Sequence, residues 1–308
     1  MSASDLDAGR VRSFLFEQLD IRGAWVQLDQ TWRNMIAGRG YAAATTRLLG
    51  EMAAVTALLA GNLKQPGRLT FQLRGEGAVN RLVMDCNEQM QLRGMAHEAS
   101  KNEDMAHEAP KNEAMAHETA ALESGALDAL LGEGFLTLTL DAPDMRQPYQ
   151  SQVPLIGDSL AAVFEHYLAQ SEQQPARLWL AANGKTAAGL FLQALPRAHE
   201  RDEDGWNRVQ ILANTLGHDE LLKFNSMDLL ARLFPEEDVR VYDPRPVVWH
   251  CPEDWEKITA MLRSIGRAEC ESIVQEVGEI HVHDEICNRD YRLNAAEVGK
   301  LFSQSVNK

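Results

Sequence analysis

His250-Cys251-Pro252-Glu253-Asp254-Trp255 and, further on, Gly278-Glu279-Ile280-His281-Val282-His283-Asp284-Glu285-Ile286-Cys287 bound the stretch that decides the fold. Pro252 followed by two acids suits a first helical turn, where a missing N–H costs nothing and negative charge meets the positive end of the dipole. Trp255, Ile258, Leu262 and Ile265 then recur at helical spacing, and Gly266 stops the run. A second helix is predicted over 268–277, carrying Ile273 and Val274. Residues 278–282 alternate like a strand, a turn falls near Asn288, and 291–293 return. Asn294 and Glu297 form a capping-box pattern for a last helix. A helix-helix-hairpin piece this short has a small core of the kind that a metal often staples.

Its polar residues fit that idea without requiring it. Cys251 and Cys287 lie at the two ends, with His250, Glu253, His281, His283 and Asp284 beside one or the other. Zinc accepts thiolate, imidazole and carboxylate ligands drawn from two short clusters. Two ordinary cysteines in a domain that needs no metal explain the pattern equally well. Cys86 and Cys270 complete the set of 4, and no Cys-x-x-Cys or Cys-x-Cys pair occurs. Those two read as packed thiols.

Outward from this module (248–308), Pro235, Pro244 and Pro246 mark its approach, and helical patterns at 206–216 and 226–234 suggest a helical linker over 194–247. Residues 1–193 carry the mixed signals of a core domain. Leu48, Met52, Val55 and Leu59 predict a buried helix. Strands are predicted at 68–73, 81–84, 89–92, 135–140, 177–180 and 189–195, and a helix capped by Asp158 carries Leu160, Val163, Phe164, Tyr167 and Leu168. Residues 95–124 hold a ten-residue repeat, MAHEASKNED, MAHEAPKNEA and a decayed MAHETAALES. Successive repeats rotate by about 80° on a helix, so His97, His107 and His117 form no stripe, and the segment reads as a solvated insertion. The fold class is therefore α+β: a mixed sheet-and-helix core, a helical linker and a small helix-hairpin module of zinc-binding type.

Composition narrows the function. The 308 residues include 45% hydrophobic side chains, enough for a real core. A net charge of -15 argues against nucleic acid, whose binding needs Lys and Arg on phosphates. The polar start resembles no secretory signal, and Glu51 interrupts the apolar segment 48–63, read as too short to span a bilayer, so a cytoplasmic, non-membrane protein is expected. Gly184-Lys185-Thr186 imitates a phosphate loop, but Trp179 stands where that motif needs glycine. Gly75-Glu76-Gly77 lacks a third glycine at Asn80. No nucleotide site and no catalytic residue are predicted.

Segments spread along the chain nevertheless resemble one family. Phe71-Gln72-Leu73-Arg74-Gly75-Glu76-Gly77, Gln91-Leu92-Arg93-Gly94, Gln170-Ser171-Glu172-Gln173-Gln174-Pro175-Ala176-Arg177-Leu178, Ala187-Ala188-Gly189 with Leu192-Gln193 and Pro196, and Val241-Tyr242-Asp243-Pro244 are similar to the redox-regulated thirty-three-kilodalton heat-shock chaperones. The resemblance implies an ATP-independent holdase for unfolding proteins under stress, active as a homodimer. It also implies a zinc module in which Cys-x-Cys and Cys-x-x-Cys hold zinc when reduced and form two disulfides when oxidised.

The switch departs from that pattern. Aligned through Gly278-Glu279-Ile280, Cys251 and Cys287 are retained, while Glu253 and Asp284 replace the other two cysteines. The paired-disulfide switch cannot operate. Zinc, one per chain, would rest on Cys251, Glu253, Asp284 and Cys287, a weaker set than four thiolates. Alternatively, the family fold would let Cys251 and Cys287 form a single disulfide. Gating by oxidation, heat or pH stays open. So do two other functions, a metal-dependent enzyme using the Cys/His/acid cluster and an acidic interaction protein.

Overall fold

The computed structural model describes residues 8–63, 65–99, 122, 125–171 and 173–303. Most of the ten-residue repeat, including His107 and His117, lies outside them. The chain divides into two compact units, Met1–Trp249 and His250–Lys308. The architecture is α+β, as the sequence leads one to expect.

The first unit contains two six-stranded sheets. In one, β1 (Arg10–Phe16), β2 (Ile21–Leu28), β8 (Ala176–Ala182), β9 (Ala187–Ala194) and β10 (Val239–Val241) follow the order β10-β1-β2-β9-β8, with β11 (Arg245–Pro246) also on β1. In the other, β3 (Arg68–Gly75), β4 (Val79–Cys86), β5 (Gln91–Glu98), β6 (Gly134–Asp141), β7 (Tyr149–Pro154) and β12 (Val248–Trp249) follow β12-β5-β4-β3-β6-β7. Neighbours are antiparallel except β12 on β5. β5 runs six residues past the strand end predicted at 92, so Met95–Glu98 of the repeat pair with β4, where Met95 and Ala96 are buried.

Between the sheets lies the helix Ala43–Gly61. A short helix, Gln30–Ile36 (α1), precedes it, so it is α2. Leu48, Leu49, Met52, Ala53, Val55 and Leu58 point around its whole circumference, which marks a helix enclosed on all sides. By length and composition α2 would span a bilayer, contrary to the sequence estimate, but 72% of its apolar window is buried inside the unit. It is a core helix. One sheet meets it with Val26, Leu180 and Phe191, the other with Phe71, Leu82, Met84 and Leu92. The helices Leu127–Leu131 (α3) and Leu160–Ser171 (α4) close this core, and α4 buries the five residues the pattern singled out. Ser159 Oγ, rather than Asp158, accepts from the Ala162 amide at 3.3 Å to cap it. Gly75 and Gly77 lie under the end of α3: a Cβ on Gly75 would come within 2.0 Å of the Leu131 carbonyl oxygen. Their role is close backbone packing.

β9 is buried at every position because its sheet is covered on both faces. Ala187 and Phe191 face the α2 core, whereas Ala188, Leu190, Leu192 and Ala194 enter a second one. Helices α5 (Ala198–Arg201), α6 (Gly205–Ala213), α7 (His218–Lys223) and α8 (Ser226–Leu233) cover that second face. Val209, Ala213, Leu221, Leu229, Leu230 and Leu233 pack there against Phe14, Phe16, Ile21 and Trp25. The segment read as a linker is thus folded onto a sheet in this state.

The second unit consists of α9 (Trp255–Ile265), α10 (Arg267–Val277), the hairpin β13 (Glu279–Asp284) and β14 (Arg289–Asn294), and α11 (Ala295–Ser303). α9 starts after the predicted Pro252, because the Asp254 carboxylate caps it, accepting from the Lys257 amide at 2.9 Å. Ile258 and Leu262 reach the core with Cys270, Ile280, Tyr291, Leu293, Val298 and Leu301. Trp255 and Ile265, assigned to the same face from spacing, remain 43% and 45% exposed. The capping box forms: the Asn294 amide donates to Glu297, and the Glu297 amide donates to Asn294 Oδ1.

Candidate functional site

Cys251 lies just before α9 and Cys287 in the turn between β13 and β14. The hairpin brings them together as a disulfide, with Cα atoms 5.4 Å apart. Both are buried, at 6% and 7% exposure. Asp284 Oδ1 accepts from the amides of Ile286 at 3.0 Å and Cys287 at 3.2 Å, an Asx turn that presents Cys287. Asn288 follows with φ of 49°, a left-handed position that asparagine tolerates.

Glu253 faces elsewhere. Its carboxylate pairs with Arg289 Nη1 at 3.1 Å and accepts from Trp255 Nε1 at 3.1 Å. Arg289 Nη2 also donates to the Cys251 carbonyl at 3.0 Å, tying the start of the unit to β14. The sequence did not single out Arg289; a cation two residues past Cys287 was the available signal.

The histidines stand apart from the sulfurs' partners. His281 Nε2 and His283 Nδ1 each lie 2.8 Å from Asp290 Oδ1 on the exposed side of the hairpin. Hydrogen bonds from His283 and then His281 hold the Asp290 carboxyl below the usual carboxylate range. His250 is exposed.

Structural zinc, which the resemblance implies, needs about four donors converging on one point. Among the described residues no group of three or more His, Cys, Asp or Glu is arranged to hold a metal ion. The two sulfurs are bonded to each other, Glu253 is held by Arg289, and Asp284 by turn amides. As arranged, the donor set does not fit zinc.

Cys86 and Cys270 are free and buried in separate cores. Burial, with Asp85 adding to it, pushes the Cys86 thiol up to about 12. Burial and Glu269 also raise Cys270. Both are therefore protonated and poor nucleophiles at neutral pH.

The family model of the Hsp33 protein matches residues 9–294. The chain belongs to the Hsp33 family. The 33 kDa chaperonin of Pseudomonas aeruginosa (strain LESB58) is 37% identical over 308 residues, covering 98% of this chain and 96% of that protein. The 33 kDa chaperonin of Nitrosococcus oceani is 38% identical over 293 residues, covering 95% and 94%. The crystal structure of the Hsp33 homologue from Thermotoga maritima superposes with a TM-score of 0.76 over 97% of this chain and 100% of that one, at 21% identity, and shows the shared fold. Hsp33 membership favours chaperone function and lends no support to a metal-dependent enzyme.

Proposed function

We propose that this chain is an ATP-independent holdase that captures unfolding proteins on apolar surface and catalyses no reaction. Family membership supports the chaperone function. The observation that carries the holding mechanism is the second core of the first unit. There, short helices cover a sheet face bearing Phe14, Phe16, Ile21, Trp25, Leu190 and Leu192. An aliphatic and aromatic face of this kind, once uncovered, binds extended apolar segments without sequence preference. α6, α7 and α8 have 9, 6 and 8 residues, too short to persist as helices away from the sheet. The acidic charge of -15 suits a soluble cytoplasmic protein whose partners are clients rather than nucleic acid.

The test is light scattering of a thermolabile enzyme heated with the full chain, without nucleotide. Substoichiometric to stoichiometric chain should suppress aggregation under a condition that frees α6–α8. Persistent aggregation at every ratio, with the helices shown open by hydrogen exchange, would refute the holdase.

A further inference from the structure

We propose that the cavity bounded by α2, α3, α4, β8 and α7 binds a small amphipathic organic cation, an alkylammonium whose charged head meets Glu51 and whose apolar body lies among leucines. The site does not depend on the holdase reading.

The cavity measures about 410 Å³, within the size range of small-molecule sites. Leu127 and Leu130 of α3, Leu160 of α4, and Leu178 and Trp179 of β8 give it an apolar wall. β8 is the outer strand of its sheet, so no further strand covers that wall. Walls of this kind hold a hydrocarbon body by exclusion of water.

Glu51 supplies the polar end. Its side chain is 15% exposed, and among the described residues its carboxyl has one polar contact, Arg47 Nε at 4.0 Å. That is too long for a hydrogen bond. Arg47 instead donates through Nη2 to the Gly125 carbonyl. A carboxyl held away from water with no donor is costly to ionise, and burial accordingly pushes Glu51 up to about 7. An ammonium head brings a compensating charge and three N–H donors, the two things this carboxyl lacks.

The other titratable groups on the cavity decide the sign of the ligand. They are Arg47 on α2, Asp158 before α4 and His218 at the start of α7; α3 and β8 contribute none. Ionised Glu51 and Asp158 outnumber Arg47, so an anion would meet two carboxylates. A bound ammonium keeps Glu51 ionised, so binding at pH 6 must displace the Glu51 proton, whereas at pH 8 that proton has mostly gone. Affinity for the cation therefore rises roughly tenfold from pH 6 to pH 8. His218 acts in the same direction, since it repels a cation only when protonated. Because α7 contributes His218 and Leu221, an occupied cavity also braces the helical cover of the second core.

The experiment is isothermal titration calorimetry of the full chain with hexylammonium, hexanol and hexanoate at pH 6 and pH 8, repeated in buffers of different ionisation enthalpy. The expected result is one-to-one binding of hexylammonium, roughly tenfold tighter at pH 8, with close to one proton released per ligand at pH 6 and almost none at pH 8. Hexanol and hexanoate should bind at least tenfold more weakly at pH 8. Hexylammonium should also raise the melting temperature at pH 8 by mass action. Glu51→Gln should lose the proton release, the pH dependence and most of the affinity. The proton count on wild-type protein decides the matter alone should that variant misfold. No saturable heat at pH 8, hexanoate binding as tightly as hexylammonium, or binding without proton release at pH 6 would each overturn the site.

Discussion

Asp85 shows how a single side chain anchors three neighbouring strands, β3, β4 and β5. It is 7% exposed and receives Arg68 at 2.8 Å and Arg93 at 3.0 Å from the two flanking strands. Asp85→Asn removes the charge while keeping the shape, leaving two guanidinium groups facing an amide. We expect a loss of about 2 kcal/mol in chemical unfolding; an unchanged midpoint would show that solvent already screens both arginines. Glu51 behaves oppositely. It lines a cavity of about 410 Å³ with Arg47, Asp158 and His218. Burial raises its carboxyl from 4.5 to about 7, with Arg47 at 4.0 Å offsetting part of the shift. Between those values the folded chain keeps a proton that the unfolded chain has released, so stability falls as pH rises through the window. Glu51→Gln should therefore stabilise the protein at pH 8 by about 1–3 kcal/mol and give no gain at pH 4. Thermal melts at the two pH values check the sign.

Among the elements, α8 is the lever of the second core. Leu229 is fully buried there, and Leu229→Ala should cost the cover about 2–5 kcal/mol. The expected outcome is apolar-dye binding and client holding that begin at a lower temperature than in the wild type. Earlier unfolding with no gain in holding would detach the helices from function. The sequence made α4 and the β13–β14 hairpin legible because each has one face in water, so its periodicity shows. β1 and β2 give no such clear signal, although Phe14, Phe16, Ile21 and Trp25 all enter one core there. Their sheet is buried on both faces, and alternation fades when both sides are apolar. At the site, Cys251 and Cys287 could be singled out by residue type. The duties of Glu253 and Asp284 could not, since a carboxylate that caps a turn and one that binds metal look the same in sequence. Only the hairpin register and Arg289 separate them.

At the scale of the whole molecule, a charge of -15 sets the company the chain keeps. Fluorescence anisotropy with labelled duplex DNA at physiological salt should show no binding; tight, salt-sensitive binding would reveal a basic surface dominating the net charge. The order of strands has a consequence for how the protein is made. β2 pairs with β1 beside it in sequence and with β9 far along the chain, and β1 pairs again with β10 near the end of the first unit. A ribosome delivers Trp25 and Phe16 long before Leu190, Leu192 or the helices that cover them exist. During its own synthesis the nascent chain thus displays the very apolar face it later conceals, and its non-local strand pairing makes that interval long. Until its last strands emerge, this chaperone is itself a client.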